Sequence, residues 1–203
     1  MGAGSWGTTF AKVLTDAGND VTLWSRRSDL AHEINTEHRN GDYLPGIILP
    51  DGLKASAAVE EVLARAEQVY IAVPSQSLRS NLADWASLIP ADAILVSLMK
   101  GVEKDTGLRM SEVIAQATGF AAEQICVVSG PNLSLEIAAE QPTASVAACK
   151  SLDNAELVAK ASSNTYFTTF TNTDVIGTEF GGILKNLIAV AIGIVNGVGY
   201  GQN

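Results

Sequence analysis

Several kinds of protein are disfavoured by what this chain of 203 residues has little of. Its two cysteines, Cys126 and Cys149, lie in apolar strand-like runs, so small buried thiols are expected rather than a disulfide framework. Its two histidines, His32 and His38, are six residues apart and lack the i, i+4 spacing of a zinc helix. Glu33 and Glu37 do not complete an H-E-x-x-H arrangement either, so solvated histidines and no metal site are expected. Lys and Arg number 13 against 22 Asp and Glu, a net charge of −9, which opposes general attraction to nucleic acid or an anionic membrane. No run reaches the roughly 18 uninterrupted apolar residues of a membrane span, and no signal-peptide pattern opens the sequence. A reducing, cytoplasmic setting without membrane insertion is the expectation. What is present, 47% hydrophobic residues with mean hydropathy +0.18, describes a globular protein.

The first seven residues organise the rest. Gly2, Gly4 and Gly7 form a G-x-G-x-x-G, and Phe10, Val13 and Leu14 then give the helical pattern of Thr8 to Ala17 an apolar face. Such a turn lets the pyrophosphate of a dinucleotide rest on the amides at a helix N-terminus. The fingerprint normally follows a buried strand, but only Met1 precedes Gly2 here, so the first strand is expected to be missing. Val21 to Trp24 is the next strand candidate, and the position for a ribose-binding carboxylate at its end holds Ser25, Arg26 and Arg27 instead. Guanidinium groups suit a 2′-phosphate, which favours NADP over NAD; Arg26 is the stronger candidate and Arg27 the weaker. The competing reading is two solvated arginines in a turn.

Ser28 to Arg39 reads as helix and Asn40 to Asp51 as loop. Strand and helix patterns then alternate. Strands are expected at Leu53–Ala57, Val69–Val73, Ala93–Leu98, Ile125–Ser129, Thr143–Cys149 and Tyr166–Thr171. Helices are expected at Ala58–Ala66, Ser77–Ile89, Met110–Thr118, Leu133–Glu140 and Asn154–Ser162. The predicted fold is α/β and Rossmann-like, a largely parallel sheet with helices on both faces. Ligands collect at the carboxyl ends of such strands, which draws attention to Pro74-Ser75-Gln76, Met99-Lys100-Gly101 and Ser129-Gly130-Pro131-Asn132. Lys100, directly after an apolar strand, is the first candidate for substrate chemistry.

From Thr178 the pattern becomes a helix apolar on nearly every face, and such a helix is expected to be buried. Its charged residue after Glu179 is Lys185, read either as a desolvated acid with a lowered pKa or as a lysine snorkelling to the surface. Val195 to Asn203 reads as a glycine-rich loop. The expected organisation is a nucleotide-binding domain over 1–174, incomplete at its N-terminus, and the beginning of a truncated all-helical substrate domain over 175–203.

Seven segments in order resemble bacterial NAD(P)-dependent glycerol-3-phosphate dehydrogenases. They are Gly-Ala-Gly-Ser-Trp-Gly-Thr at 2–8, Leu-Trp-Ser-Arg at 23–26, Tyr-Leu-Pro-Gly at 43–46 and Ala-Val-Pro-Ser at 72–75, then Lys-Gly-Val-Glu at 100–103, Ser-Gly-Pro-Asn at 129–132 and Gly-Gly-Ile-Leu-Lys-Asn at 181–186. The resemblance implies hydride transfer between NAD(P)H and glycerone phosphate to give sn-glycerol 3-phosphate, a phospholipid precursor. It implies cofactor contacts from the glycine loop with Ser5, Trp6, Arg26, Lys100 and Ser134, and substrate contacts from Lys100, Gly130 and Asn132, with Lys185 as catalytic acid/base and a further substrate contact. Met99 and Leu133-Ser134 depart from the usual family residues. A homodimer is left open. The alternatives are an NADP-binding module without chemistry and another Rossmann dehydrogenase of the hydroxyacid or 6-phosphogluconate type.

Overall fold

A computed structural model describes residues 1–199. The short apolar runs become strands because they are bounded by turn residues and flanked by amphipathic helices that cover them. In chain order the elements are α1 (Ser5–Asp16), β1 (Thr22–Trp24), α2 (Ser28–Glu37), β2 (Lys54–Ser56), α3 (Val59–Leu63), β3 (Gln68–Ile71), α4 (Leu78–Trp85) and β4 (Ile94–Ser97). They continue with α5 (Met110–Thr118), β5 (Ile125–Ser129), α6 (Ser134–Ala138), β6 (Thr143–Cys149), α7 (Leu152–Ser162), β7 (Phe167–Asn172) and α8 (Val175–Val198). The helix expected over 77–89 is an α-helix with a 3-10 turn at each end, and His38, in the left-handed region at φ 51°, stops α2 two residues earlier than expected.

The strands form two sheets. β1 and β2 pair in parallel, and a second sheet runs β3-β4-β5-β6-β7, parallel throughout except for the antiparallel pair β5–β6. Helices α4 and α5 cover one face of the larger sheet through Leu82, Trp85, Val113 and Ile114. The other face packs against α1 and α7 through Phe10, Val158 and Phe167. Phe10, Leu82 and Ile114 are wholly buried, each contributing on the order of 1.5–3 kcal/mol of apolar transfer free energy.

Met1 and Gly2 bridge the two sheets. The Met1 carbonyl accepts from the Ala72 amide (2.9 Å), the Met1 amine donates to the Tyr70 carbonyl (2.6 Å), and the Gly2 amide donates to the Trp24 carbonyl (3.1 Å). The two bonds to β3 follow a parallel ladder pattern, and one bond ties Gly2 to the end of β1. Behind it, between β1 and β3, lies a cavity of about 610 Å³ lined by Phe10, Leu14, Leu23, Leu63, Val69 and Tyr70 among others. It sits away from the carboxyl ends of the strands, where the candidate side chains gather.

Two expectations need correction at the C-terminal end. The helix runs to Val198, so the first part of the expected glycine loop is helical; positions 200–203 lie outside the described residues. Nor is α8 buried: Leu187, Ile188, Val190, Ile192 and Ile194 are exposed, because no described element packs against its outer face. By length and composition alone this helix could cross a membrane. Glu179, near its start, is nevertheless buried against α5.

Candidate nucleotide and substrate site

The glycine turn is shaped by contacts with backbone. Gly2 has φ +108°, and a Cβ there would stand 2.8 Å from the Ala72 carbonyl oxygen. A Cβ on Gly7 would stand 1.8 Å from the Gly2 carbonyl oxygen, so the third glycine allows α1 to start directly against the turn. Gly4 is different: nothing lies within 4 Å of its would-be Cβ, and the space beside the helix start is open. Gly4 is the N-cap of α1, no side chain caps the helix, and its first turn carries no acidic residue. The amides at Ser5, Trp6 and Gly7 thus form an uncapped, electropositive terminus suited to an anion.

Trp6 reaches across to the larger sheet, its indole N–H donating to the Leu98 carbonyl (3.1 Å), and so ties the glycine loop to the end of β4. Ser5 is half-buried at the helix start. Ser134 opens α6, and its carbonyl accepts from the Thr9 hydroxyl (3.2 Å), which brings α6 against α1.

One residue of the loop's support went unseen in the sequence. Asn40 is fully buried, and its amide donates to the Ala3 carbonyl (3.1 Å) and the Thr8 hydroxyl (2.8 Å). It therefore braces the glycine turn from the 40–51 loop, and its Oδ1 has no partner. The only local signal was an Asn-Gly pair, which reads as a turn.

Arg26 and Arg27 separate in the structure. Arg27 is engaged by Asp29 (2.7 Å) and Asp42 (2.5 Å), and the Arg27 guanidinium holds the Asp29 carboxyl well below its usual pKa. Arg26 is exposed at the end of β1 and has no carboxylate partner among the described residues. The turn is held by Ser25, buried, whose hydroxyl donates to the Arg27 carbonyl and accepts from the Arg27 amide. Of the histidines, His32 is exposed as expected, whereas His38 is half-buried with an unpartnered Nδ1.

The second half of the site gathers at the ends of β4 and β5. Lys100 is half-buried and donates to the Gly130 carbonyl (2.8 Å), which also accepts from the Asn132 amide (2.8 Å). Burial, and then the charge on Lys185, push the Lys100 pKa down. The Asn132 side-chain amide donates to Ser145 (3.3 Å), leaving its buried Oδ1 without a partner. Gly101, at φ +150°, lies against Ser75, which joins the turn after β3 to the same cluster. Gly182 of α8 packs so closely that a Cβ there would lie 2.6 Å from the Ser129 hydroxyl and 3.5 Å from Cγ of Lys100. Lys185, one turn further along α8, is exposed, which agrees with the surface reading of its side chain rather than the desolvated one.

The glycine loop, Lys100, Gly130, Asn132 and the start of α8 thus meet at one edge of the sheet. Among the described residues no cluster of three or more His, Cys, Asp or Glu side chains is arranged to hold a metal ion. An uncapped helix start with open space beside it, next to two lysines and an unpartnered buried amide oxygen, can bind a phosphorylated ligand and donate to it.

Comparison with known proteins gives consistent relatives. The family described as NAD-dependent glycerol-3-phosphate dehydrogenase N-terminus matches residues 1–155, and the one described as its C-terminus matches 174–203. A glycerol-3-phosphate dehydrogenase [NAD(P)+] of Leifsonia xyli is 61% identical over the whole chain, which covers 55% of that protein's length. Among solved structures, the glycerol-3-phosphate dehydrogenase of Coxiella burnetii aligns with TM-score 0.87 and 35% identity, over the whole chain and 61% of its own. A yeast enzyme of the same name aligns with TM-score 0.88 at 28% identity, over the whole chain and 63% of its own. The chain therefore spans little more than half of these relatives.

Proposed function

The chain belongs to the NAD-dependent glycerol-3-phosphate dehydrogenase family, and from that premise we propose that it forms the cofactor-binding part, with the first residues of the substrate part, of an enzyme that reduces glycerone phosphate to sn-glycerol 3-phosphate. The observation that carries this reading is the meeting of the uncapped α1 terminus with Lys100 and α8 at one sheet edge. A nicotinamide dinucleotide, when bound, supplies the hydride for the substrate carbonyl carbon. Gly2, Gly4 and Gly7 with the Ser5, Trp6 and Gly7 amides hold its pyrophosphate, Arg26 meets a 2′-phosphate, and Ser134 lies beside the loop. NADP is accordingly preferred, with NAD as the alternative. Lys100, Gly130 and Asn132 orient the substrate. Lys185 gives its ammonium proton to the carbonyl oxygen as negative charge develops there, so the product leaves as an alcohol.

We extend the reading to the organisation of the chain. Residues 1–174 act as the nucleotide-binding domain and 175–203 open a helical substrate domain. The cavity between β1 and β3 has free strand edges on both sides, and an apolar segment ahead of Met1 would fill it as one more parallel strand. Cys126 and Cys149, both free and buried, suit a reducing cytoplasm, and the product suits phospholipid synthesis. A homodimer is compatible with the exposed apolar face of α8.

The exposure of Lys185 favours a second reading for the chain by itself, a nucleotide-binding module without turnover. Steady-state assay of the full-length protein with glycerone phosphate against a panel of hydroxyacids tests the first reading; absence of turnover with glycerone phosphate rejects it. NADPH fluorescence titration of the chain with and without glycerone phosphate tests the second, and a substrate-dependent change in NADPH affinity rejects it.

A further inference from the structure

The helix that carries Lys185 is attached to the sheet in a way that its apolar composition does not suggest. Among its described residues the one buried side chain is a charged one, Glu179. Its carboxylate accepts from the Ser111 amide (2.9 Å), the Ser111 hydroxyl (2.7 Å) and the Arg109 guanidinium (2.5 Å). Arg109 is in turn paired with Glu112 (2.9 Å), whose carboxylate also accepts from the Arg109 amide (3.0 Å) at the start of α5. Every oxygen of Glu179 is thus matched to a donor, the condition under which a buried carboxylate is tolerated.

The partner's position gives this clamp its meaning. Arg109 forms an antiparallel bridge with Val102, two residues after Lys100, and the Glu103 amide donates to the Leu108 carbonyl (2.8 Å). The segment that leaves β4 with Lys100 therefore returns to present the guanidinium that holds Glu179. Glu179 precedes Lys185 by six residues, about 9 Å along the helix axis. Between them, Gly182 lets the helix backbone rest on Ser129 and the stem of Lys100. A glycine contact of this kind brings the backbones close but supplies no directional bond against rotation or sliding of α8. The carboxylate contacts oppose both, because a turn of the helix by one residue would carry Glu179 through about 100° and away from its donors.

We propose that Glu179 is a positioning residue for the reduction: through Arg109 and Ser111 it sets the rotation and height of α8, and so the placement of Lys185 relative to Lys100. The function is registry rather than stability. A buried ion pair contributes little net free energy compared with apolar packing, but it is well suited to selecting one arrangement among several. The proposal rests on the reading of Lys185 as the acid, and its test separates the two.

Glu179→Ala, Lys185→Ala and the double variant are made in the full-length protein, and turnover of glycerone phosphate and NADPH dissociation constants are measured. The expected result for Glu179→Ala is a fall in kcat of about 30-fold or more with NADPH affinity within about threefold of wild type, while Glu179→Gln, which keeps acceptance from Ser111, recovers part of the loss. In the Lys185→Ala background Glu179→Ala should cost less than about threefold more, since its effect passes through the missing ammonium. Turnover of Glu179→Ala within about threefold of wild type, or the same fold-loss in both backgrounds, overturns the positioning role and leaves the acid assignment intact. Near-normal turnover of Lys185→Ala overturns the acid assignment, and the positioning role with it. Should Glu179→Ala not fold, the cycle with Glu179→Gln decides by the same criterion.

Discussion

Gly4 and Gly7 stand three residues apart in one turn, yet replacing each with alanine should have opposite consequences. A Cβ on Gly7 would be placed 1.8 Å from the Gly2 carbonyl oxygen and 3.2 Å from Cβ of Ala72. Contacts below 3.0 Å are essentially never seen, so loop and helix must part by about 1.2 Å, the difference between 3.0 and 1.8 Å. Both sides of that contact are main chain, and no rotamer change relieves it. Overpacking costs typically about 1–3 kcal/mol, and this site belongs at the upper end or above it. Gly4→Ala meets nothing within 4 Å, and its φ of −76° is open to any residue. The folded chain should therefore meet no steric penalty, and the gain of about 0.4–1 kcal/mol from a stiffer unfolded state is offset by the poorer N-cap that alanine makes, leaving stability little changed. The methyl group would, however, fill the space through which a pyrophosphate approaches the α1 amides. Each charge-assisted hydrogen bond lost there is worth about 1.5–3 kcal/mol, or roughly 10- to 150-fold in dissociation constant. Urea unfolding and NADPH fluorescence titration measure the two quantities separately. Normal NADPH affinity in Gly4→Ala would refute the placement of the ligand on this turn, and wild-type stability in Gly7→Ala would refute the steric argument.

Arg26→Ala should weaken NADPH more than NADH, whereas Arg27→Ala, whose guanidinium is already held by Asp29 and Asp42, should change the ratio of the two affinities less. Parallel titrations decide, and a larger ratio change at Arg27 rejects the assignment.

The parts of the fold that were legible in the sequence are those where one physical signal acts alone. Ile125–Ser129 and Thr143–Cys149 are continuous apolar runs between turn residues, and both are strands over those same residues. Met110–Thr118 is likewise a helix from end to end, closed by Gly119 at φ 76°. Element ends were less legible where a tertiary contact decides them. Residues 5–7 join α1 because the glycine turn packs directly under the helix start, and α8 begins at Val175 because Asp174 accepts from the Gly177 amide. In the site, the positions of Lys100, Gly130 and Asn132 at strand ends could be read from the order of the elements. The pairing of Arg27 with Asp42 could not, since fifteen residues of turn and helix separate them and charge order alone does not fold a loop back. Asn40 and Glu179 escaped for the same reason: each acts through one buried contact with a distant segment. The burial expected of α8 failed because all-round apolarity specifies that a helix needs cover without supplying the elements that provide it.

On the proposed function an acidic chain binds two phosphorylated ligands, so the positive charge at their sites should not be neutralised by carboxylates. Among the described residues Lys12, Lys54, Arg27, Arg79 and Arg109 are paired with carboxylates, and the other eight of the 13 basic side chains, five of them away from this edge, are not. Lys100 instead donates to a neutral carbonyl, and neither Arg26 nor Lys185 has a carboxylate partner among the described residues. Lys100 is held below its ordinary pKa by burial first and by the charge on Lys185 second. On the proposed function, an anion placed near both ammonium groups would offset the second of these causes. The same logic explains why Glu179 can lie in the helix that carries Lys185 without spoiling the field. Its carboxylate is engaged by Arg109 and Ser111 on the α5 side and makes no ion pair with Lys100 or Lys185 among the described residues.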